Sequence, residues 1–548
     1  FIEGCAENGK QIKDSHRISI NNHVKRAPSY DVSSIEAWSD TTVLFPCIFK
    51  ANAATKETRR SVLLKAPLTL KTTMTLPVDA LFEFYFGFVP NWAPVFPAAI
   101  ELKIRDLKGA LVLQKSIGIS DCDAGEWQFD QTLLHKIHRQ EIQLELSIQS
   151  IMEEPFYIIL GEPVVRPEAD RKNVSKPNII IVSLDTFRGD HMTSSGYREK
   201  TTPTLDRIAR EGVLFTRAYS QSGLTLPSHK SILSGYYPQL FAYFSDSPNV
   251  RQKRLTPEIP LFPTHLKKIG YYNVAFTGGG FLSAAYGFYR EFDLYNQLSI
   301  SWHAAKNPLI NQRPIKQAGF ESALSWLKQN GSHGPFFMFL HTFALHYPYV
   351  PPPKYDQYFQ SNHPTEVGPY VSMDLLKEIN SKKLIPSQDD QSQIVAVYDR
   401  GIRWIDDEML RLYECLSNLD ILEDTILIVL SDHGEEFLEH GLIQHKMMYS
   451  TCLHVPLIIR APKFFPQNVV VREEVELIQL MPTLCELLHV SPSILLQGRS
   501  LLAMISDLPG TQPHRFRFGS QNGWITTRYE EYEFHSPASQ SEIPIYHV

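Results

Sequence analysis

The chain has 548 residues, 43% hydrophobic and 20% charged, the make-up of a globular protein long enough to bury a sizeable core. Its 53 Lys and Arg against 59 Asp and Glu leave a net charge of −6, which argues against a dedicated nucleic-acid binder. Apolar runs such as Thr425–Leu430 are far too short to span a bilayer, and six cysteines without a C-x-x-C exclude a zinc ribbon and a disulfide scaffold.

Residues 1–30 are polar and basic, have no clear period and read as a tail. The chain begins at Phe1, so an initiator or signal region is expected upstream; Ile2-Glu3-Gly4-Cys5 loosely resembles a bacterial lipobox, which Glu3 fits poorly. Residues 31–170 read as a β-rich domain. Short runs around Leu81–Phe86, Ala99–Ile104 and Ile142–Ile148 alternate or run apolar between turn residues, which predicts a β-sandwich. Trp92 and Trp127 could stack on a sugar there, although core packing is the commoner use of such residues. The polar, Pro-terminated stretch Glu168–Pro177 reads as a linker.

After Pro177 the pattern changes. Asn178–Leu184 is the apolar run of a strand buried on both faces, and similar runs recur at Val274–Thr277, Phe336–Leu340, Thr425–Leu430 and Val455–Ile459. Helical periods lie between them, so residues 177–505 are expected to form a doubly wound α/β sheet. Residues 506–548 read as a small subdomain of strands (Arg515–Phe518, Trp524–Thr527, Tyr529–Phe534 and Ile543–Val548) without a closing helix.

Open parallel sheets gather functional groups just past the carboxyl ends of their strands. Here those positions hold Asp185, then His341 and His346, then Asp432-His433-Gly434, with His440 and His445 close behind. Carboxylate and imidazole together suit Zn²⁺ or Mn²⁺ better than Ca²⁺, which prefers oxygen alone; Mg²⁺ stays possible. One Asp after a strand is ordinarily a helix cap and one His ordinarily a hydrogen-bonded core residue, so the weight lies on the coincidence at three strand ends. Thr225, in Gly223-Leu224-Thr225-Leu226-Pro227-Ser228-His229, precedes a helical segment. It could be a plain cap, or a hydroxyl presented where helix N–H groups favour anions.

The segments 177–218 (beginning PNIIIVSLDTFRGDH), GLTLPSHKSILSGYYP (223–238), FLHTFALHYPYVPP (339–352), SDHGEEFLEHG (431–441) and HKMMYSTCLHVPLIIRAP (445–462) occur in one order. Together they resemble the sulfatase family of the alkaline phosphatase superfamily, over roughly 177–505. The resemblance implies an α/β, alkaline-phosphatase-like, doubly wound and mostly parallel sheet, here with an N-terminal β-sandwich-like domain and a small C-terminal antiparallel sheet. It implies a divalent metal ion held by Asp185, Thr225, Asp432 and His433, with Thr225 as nucleophile. It puts His346 over the leaving group, His445 or Lys446 on the transferred group, and Arg188 and His229 near the oxyanion; Asp399 and Asp406 would cap or pair.

The departures from the family pattern shape the expected reaction. Formylglycine sulfatases resemble one another in a Cys or Ser where this chain has Thr225, which cannot give that aldehyde. Their paired acids become Asp185-Thr186, and their Gly-Lys-Trp-His stretch has no counterpart near Thr277-Gly278-Gly279-Gly280. A Thr nucleophile resembles the phosphodiesterase and phosphotransferase branches. The expectation is therefore a metal-dependent hydrolase or transferase of a phosphate or sulfate ester, on a small-molecule, lipid-headgroup or glycan substrate, in an extracytoplasmic compartment. The alternatives are an arylsulfatase-type enzyme working without formylglycine, or a degenerate fold that binds a glycan or partner.

Overall fold

The computed structural model describes residues 44–505 apart from 51–54, 76–79, 89–97, 120–126, 135–140, 151–155, 162–163, 168–175, 244–254, 256–258, 299–307, 360–364, 366, 446 and 493–495. Beyond these it describes the strands of a C-terminal sheet. The tail with its Ile2–Cys5 motif, the linker up to Ser175, and Trp92 and Lys446 lie outside the described residues. The chain divides into two compact units, residues 1–174 with 293–296 and 332–334, and the remainder.

In the first unit the alternating patterns become strands of two antiparallel sheets. One pairs Thr55–Ala66 with Leu44–Lys50 and Phe156–Gly161, and continues to Ala80–Gly87, Val164–Pro167 and Gln128–Leu133. The other has the order Leu68–Thr75, Glu141–Ser150, Ala98–Asp106, Leu111–Gly118. Inward residues of both, among them Phe82, Phe84, Ile100, Leu102, Ile142 and Ile158, share a single core. That is the expected sandwich, and it follows from period-2 alternation with one face buried. Trp127 is half-buried.

The second unit is built on strands buried along their whole length. Asn178–Leu184, Phe336–Thr342 and Thr425–Leu430 are each fully buried. Asn178–Leu184 sits parallel between the other two, with Ser183 opposite both His341 and Leu430. Tyr272–Thr277 extends the sheet beyond Phe336–Thr342, also in parallel. On the other side His454–Arg460 runs antiparallel to both Thr425–Leu430 and Val213–Tyr219. Val469–Val471 then returns parallel to Val213–Tyr219. The 31-residue helix Gln388–Asn418 opens on a Ser387/Asp390 capping box. Its Asp406 accepts from the Thr204 and Leu205 amides and so caps the helix Pro203–Arg210.

The C-terminal sheet has the order Phe516–Gln521, Trp524–Tyr529, Tyr532–Pro537, Ile545–His547, all antiparallel. Among the described residues no helix follows Leu502–Ile505, and no helix is long and apolar enough to cross a membrane.

Candidate active site

Register brings the candidate residues together. The strands ending before Asp185 and Asp432 are neighbours, so their carboxylates emerge side by side. Ligand atoms of Asp185, Asp432 and His433, all buried, lie within 4.8 Å of one another. His433 Nε2 is 3.7 Å from Asp185 Oδ1 and 3.5 Å from Asp432 Oδ2. His433 Nδ1 is 2.9 Å from the Gly434 carbonyl, which can only accept, so Nδ1 carries the proton and Nε2 presents its lone pair inward.

Thr225 joins them from another direction. It opens the helix Thr225–Ser234 after an extended Leu224, and Gly235 closes that helix in the left-handed region at φ 75°. Thr225 Oγ1 is 3.3 Å from His433 Nε2, at the end of the helix where amide N–H groups lack intrahelical acceptors.

The donor set fits a divalent cation. Asp185 Oδ1 and Asp432 Oδ2 are buried and have no hydrogen-bond partner. Leaving such oxygens unmatched is costly, and a cation is the partner that two acids, an imidazole lone pair and a hydroxyl have in common. The electrostatics agree. Burial, and then the charge of Asp185, push the Asp432 carboxyl up to about 6. Asp185 moves the other way: burial opposes it, and the hydrogen bond from His341 is the foremost of the contacts that hold it far below the ordinary range. His433 is raised in spite of burial by Asp432 and Asp185.

The other sequence candidates are placed unevenly. The His445 ring lies 4.3 Å from that of His433 and 5.1 Å from that of His346, and its Nδ1 is 3.0 Å from Glu435 Oε1. His346 directs its Nδ1 proton to the Tyr347 carbonyl at 2.8 Å, and burial pushes its pKa down to about 4. Arg188 and His229, the residues expected near the oxyanion, are both buried and hydrogen-bonded within the fold, with His229 Nδ1 also 3.4 Å from Asp432 Oδ2. The Arg188 guanidinium is paired with Asp190 and Glu439 and also donates to the Glu435 carbonyl. His229 is fully buried, donates from Nδ1 to the Thr225 carbonyl at 2.8 Å and accepts on Nε2 from Ser183 Oγ at 2.9 Å. The reason is their neighbours: Asp190 sits two residues from Arg188, and His229 lies one helical turn after Thr225. Asp399 pairs with His191 at 2.7 Å and accepts from Tyr197 at 2.6 Å.

Three residues of this region were passed over in the sequence. Tyr398 donates to the Thr186 carbonyl at 2.6 Å and accepts from the Arg188 amide at 3.0 Å. Ser431 accepts from the Phe187 amide and donates to the His433 carbonyl. Glu435 is fully buried beside His445. Glu435 and Ser431 had a sequence signal as neighbours of Asp432-His433-Gly434; Tyr398 opens the stretch YDRGIRWIDDEMLRL (398–412), which resembles a helix of the family, but nothing in that stretch assigns the residue a role.

A family model described as Sulfatase matches residues 177–490. Arylsulfatase K of Mus musculus is 24% identical over 68% of this chain and 71% of its own length. An N-acetylglucosamine-6-O-sulfatase of Bacteroides thetaiotaomicron is 22% identical over 62% of this chain and 72% of its own. Among solved structures, the phosphonate monoester hydrolase of Agrobacterium radiobacter is similar with a TM-score of 0.55, at 18% identity, over 68% of this chain and 89% of that one. With more than half its length inside the family match, and with the mostly parallel sheet that places Asp185 beside Asp432 and His433, the chain belongs to the sulfatase family, as a sulfatase-family hydrolase.

Proposed function

We propose that this hydrolase cleaves a phosphate or sulfate ester, phosphate by preference, through covalent attack by Thr225. The observation that carries the reading is the position of Thr225 Oγ1 at a helix N-terminus, 3.3 Å from His433 Nε2 and among the buried donors Asp185 and Asp432. A divalent cation held by Asp185, Asp432, His433 and Thr225, Zn²⁺ or Mn²⁺ ahead of Ca²⁺ or Mg²⁺, would neutralise non-bridging ester oxygens and lower the pKa of the Thr225 hydroxyl.

The chain's own groups supply the rest. With its hydroxyl proton lost to solvent, Thr225 Oγ1 forms a bond to phosphorus or sulfur as the bond to the leaving oxygen breaks; water then bonds to the same atom, the bond to Thr225 Oγ1 breaks, and Oγ1 regains a proton. The helix N–H groups favour the anion that develops. His346 and His445 stand together beside His433; the His346 proton is directed to the Tyr347 carbonyl, so His445 is the group that donates the proton the leaving oxygen takes. His229, bonded to the Thr225 carbonyl, holds the nucleophile's own turn in place.

The substrate is a small-molecule, lipid-headgroup or glycan ester met outside the cytoplasm. The names of the curated relatives favour a second reading, sulfate-ester hydrolysis without formylglycine. Parallel assays with an aryl sulfate, an aryl phosphate monoester and a phosphodiester separate the two. Thr225→Ala is expected to lower turnover by roughly 10³-fold or more while metal content stays near wild type. Appreciable residual turnover in that variant, or no mass shift on Thr225 after substrate exposure, counts against the covalent route.

A further inference from the structure

We infer that His341 is a positioning residue: its Nδ1 accepts from the Gly278 amide, so its Nε2–H is directed at Asp185 Oδ2 and leaves Oδ1 as the oxygen turned to the metal. The inference rests on the metal centre proposed above and adds what sets the denticity of its first ligand.

The tautomer follows from hydrogen-bond direction. The Gly278 N–H points at His341 Nδ1 at 3.2 Å, and an amide N–H can only donate. His341 Nδ1 must therefore present a lone pair, and the ring proton resides on Nε2. That atom lies 3.2 Å from Asp185 Oδ2. The two oxygens of Asp185 are thus inequivalent: Oδ2 accepts from His341, while Oδ1 has no hydrogen-bond partner and lies 3.7 Å from His433 Nε2. The Asp185 main chain is pinned to the same strand, its amide donating to the Thr342 carbonyl at 3.0 Å.

The ring cannot easily turn. His341 is 2% exposed, lies opposite Ser183 in the register, and meets the His229 ring edge-on at 5.1 Å. Gly278 makes the arrangement possible. A Cβ at position 278 would fall 2.0 Å from Phe343 Cδ1 and 3.1 Å from His341 Nδ1, so only glycine lets the amide approach. The Thr277–Gly280 stretch, which lacks the family's usual residues, thereby has a use in this chain.

A carboxylate oxygen that already accepts a hydrogen bond is the weaker of the two toward a cation, so Asp185 is biased to bind through Oδ1. Mn²⁺ and Zn²⁺ are satisfied by that, whereas Ca²⁺ gains from bidentate carboxylates and more ligands. His341 therefore favours the smaller ions through Asp185.

Two variants isolate the donor. In His341→Asn the side-chain oxygen can replace Nδ1 toward Gly278, but nothing reaches Asp185 Oδ2. In His341→Gln the amide nitrogen can replace Nε2 toward Asp185. Binding of Mn²⁺ to metal-stripped protein is followed by the loss of the free-ion EPR signal, with Ca²⁺ as competitor and circular dichroism to confirm folding. His341→Asn is expected to bind Mn²⁺ about 10–100-fold more weakly and to discriminate less against Ca²⁺, and His341→Gln to stay within about threefold of wild type. Unchanged Mn²⁺ affinity in folded His341→Asn overturns the inference, as does an equal loss in both variants, which would mean the ring only packs. Asp185→Ala is the control for the centre itself. If wild type binds Mn²⁺ and Asp185→Ala does not, the centre stands whatever the His341 variants do; if wild type binds none, both readings fall.

Discussion

Thr186 has φ 64°, in the left-handed region that a β-branched residue enters only when its surroundings force it. Its hydroxyl turns back onto the Asp185 carbonyl at 2.7 Å. The side chain next to the first proposed ligand is thus spent on the backbone. What holds this turn is the Tyr398 hydroxyl, which bridges the Thr186 carbonyl and the Arg188 amide. Tyr398→Phe leaves both groups buried without that partner, at about 2 kcal/mol or more in total, and loosens the turn that carries Asp185. Denaturant unfolding is expected to show that loss together with reduced activity; an unchanged midpoint would mean that water replaces the hydroxyl. None of this was legible in the sequence. Thr is a poor residue for positive φ, and Tyr398 lies 212 residues away in a helix whose pattern marks it only as buried.

At the scale of elements, chain order was informative where periodicity was strong. The mostly apolar runs before Asp185 and Asp432, short and rich in β-branched residues, read as buried strands, and such strands put their following residues at one edge of a parallel sheet. Gly434 shows what the pattern could not convey. A Cβ there would lie 2.1 Å from the Thr451 carbonyl, so the loop after Thr425–Leu430 closes onto the 450–452 segment only because residue 434 is glycine. The ties between elements were equally hidden. Glu211, just past the helix Pro203–Arg210, accepts from Arg207 at 2.9 Å, from Tyr413 at 2.8 Å and from Arg460 at 2.8 Å. Burial raises its pKa, but the hydrogen bonds from Arg460, Tyr413 and Arg207 outweigh burial and hold it below the ordinary 4.5. A depressed folded-state value means that the unfolded chain takes up the proton first. The stabilisation is therefore full above pH 4.5 and is lost as pH falls below it. Wild type is expected to be more stable than Glu211→Gln at neutral pH, with the gap closing on acidification; a gap that widens in acid would reverse the assignment.

Across the whole molecule, the proposed centre links residues 185, 225, 432 and 433, so a bound cation joins distant parts of the chain. An ion that binds only the folded state stabilises it by RT ln(1 + [L]/Kd), about 2.7 kcal/mol at one hundred times Kd. Chelation is expected to lower the unfolding temperature of wild type and to leave that of Asp432→Asn unmoved. Equal scans with and without chelator in wild type would remove the metal from the account.

The two fold classes, and the acids and imidazole at the strand ends, were legible in the order of residues, because hydrophobic period fixes which faces are buried and parallel strands deliver their next residues to a common edge. Tertiary structure alone decided how those side chains are used. It turned Arg188 toward Asp190 and Glu439, buried His229 behind Thr225, and gave His341 rather than a second acid to Asp185. The physical reason is that a hydrogen bond depends on separations of about 3 Å between residues up to 260 apart in the chain, and no local pattern records them.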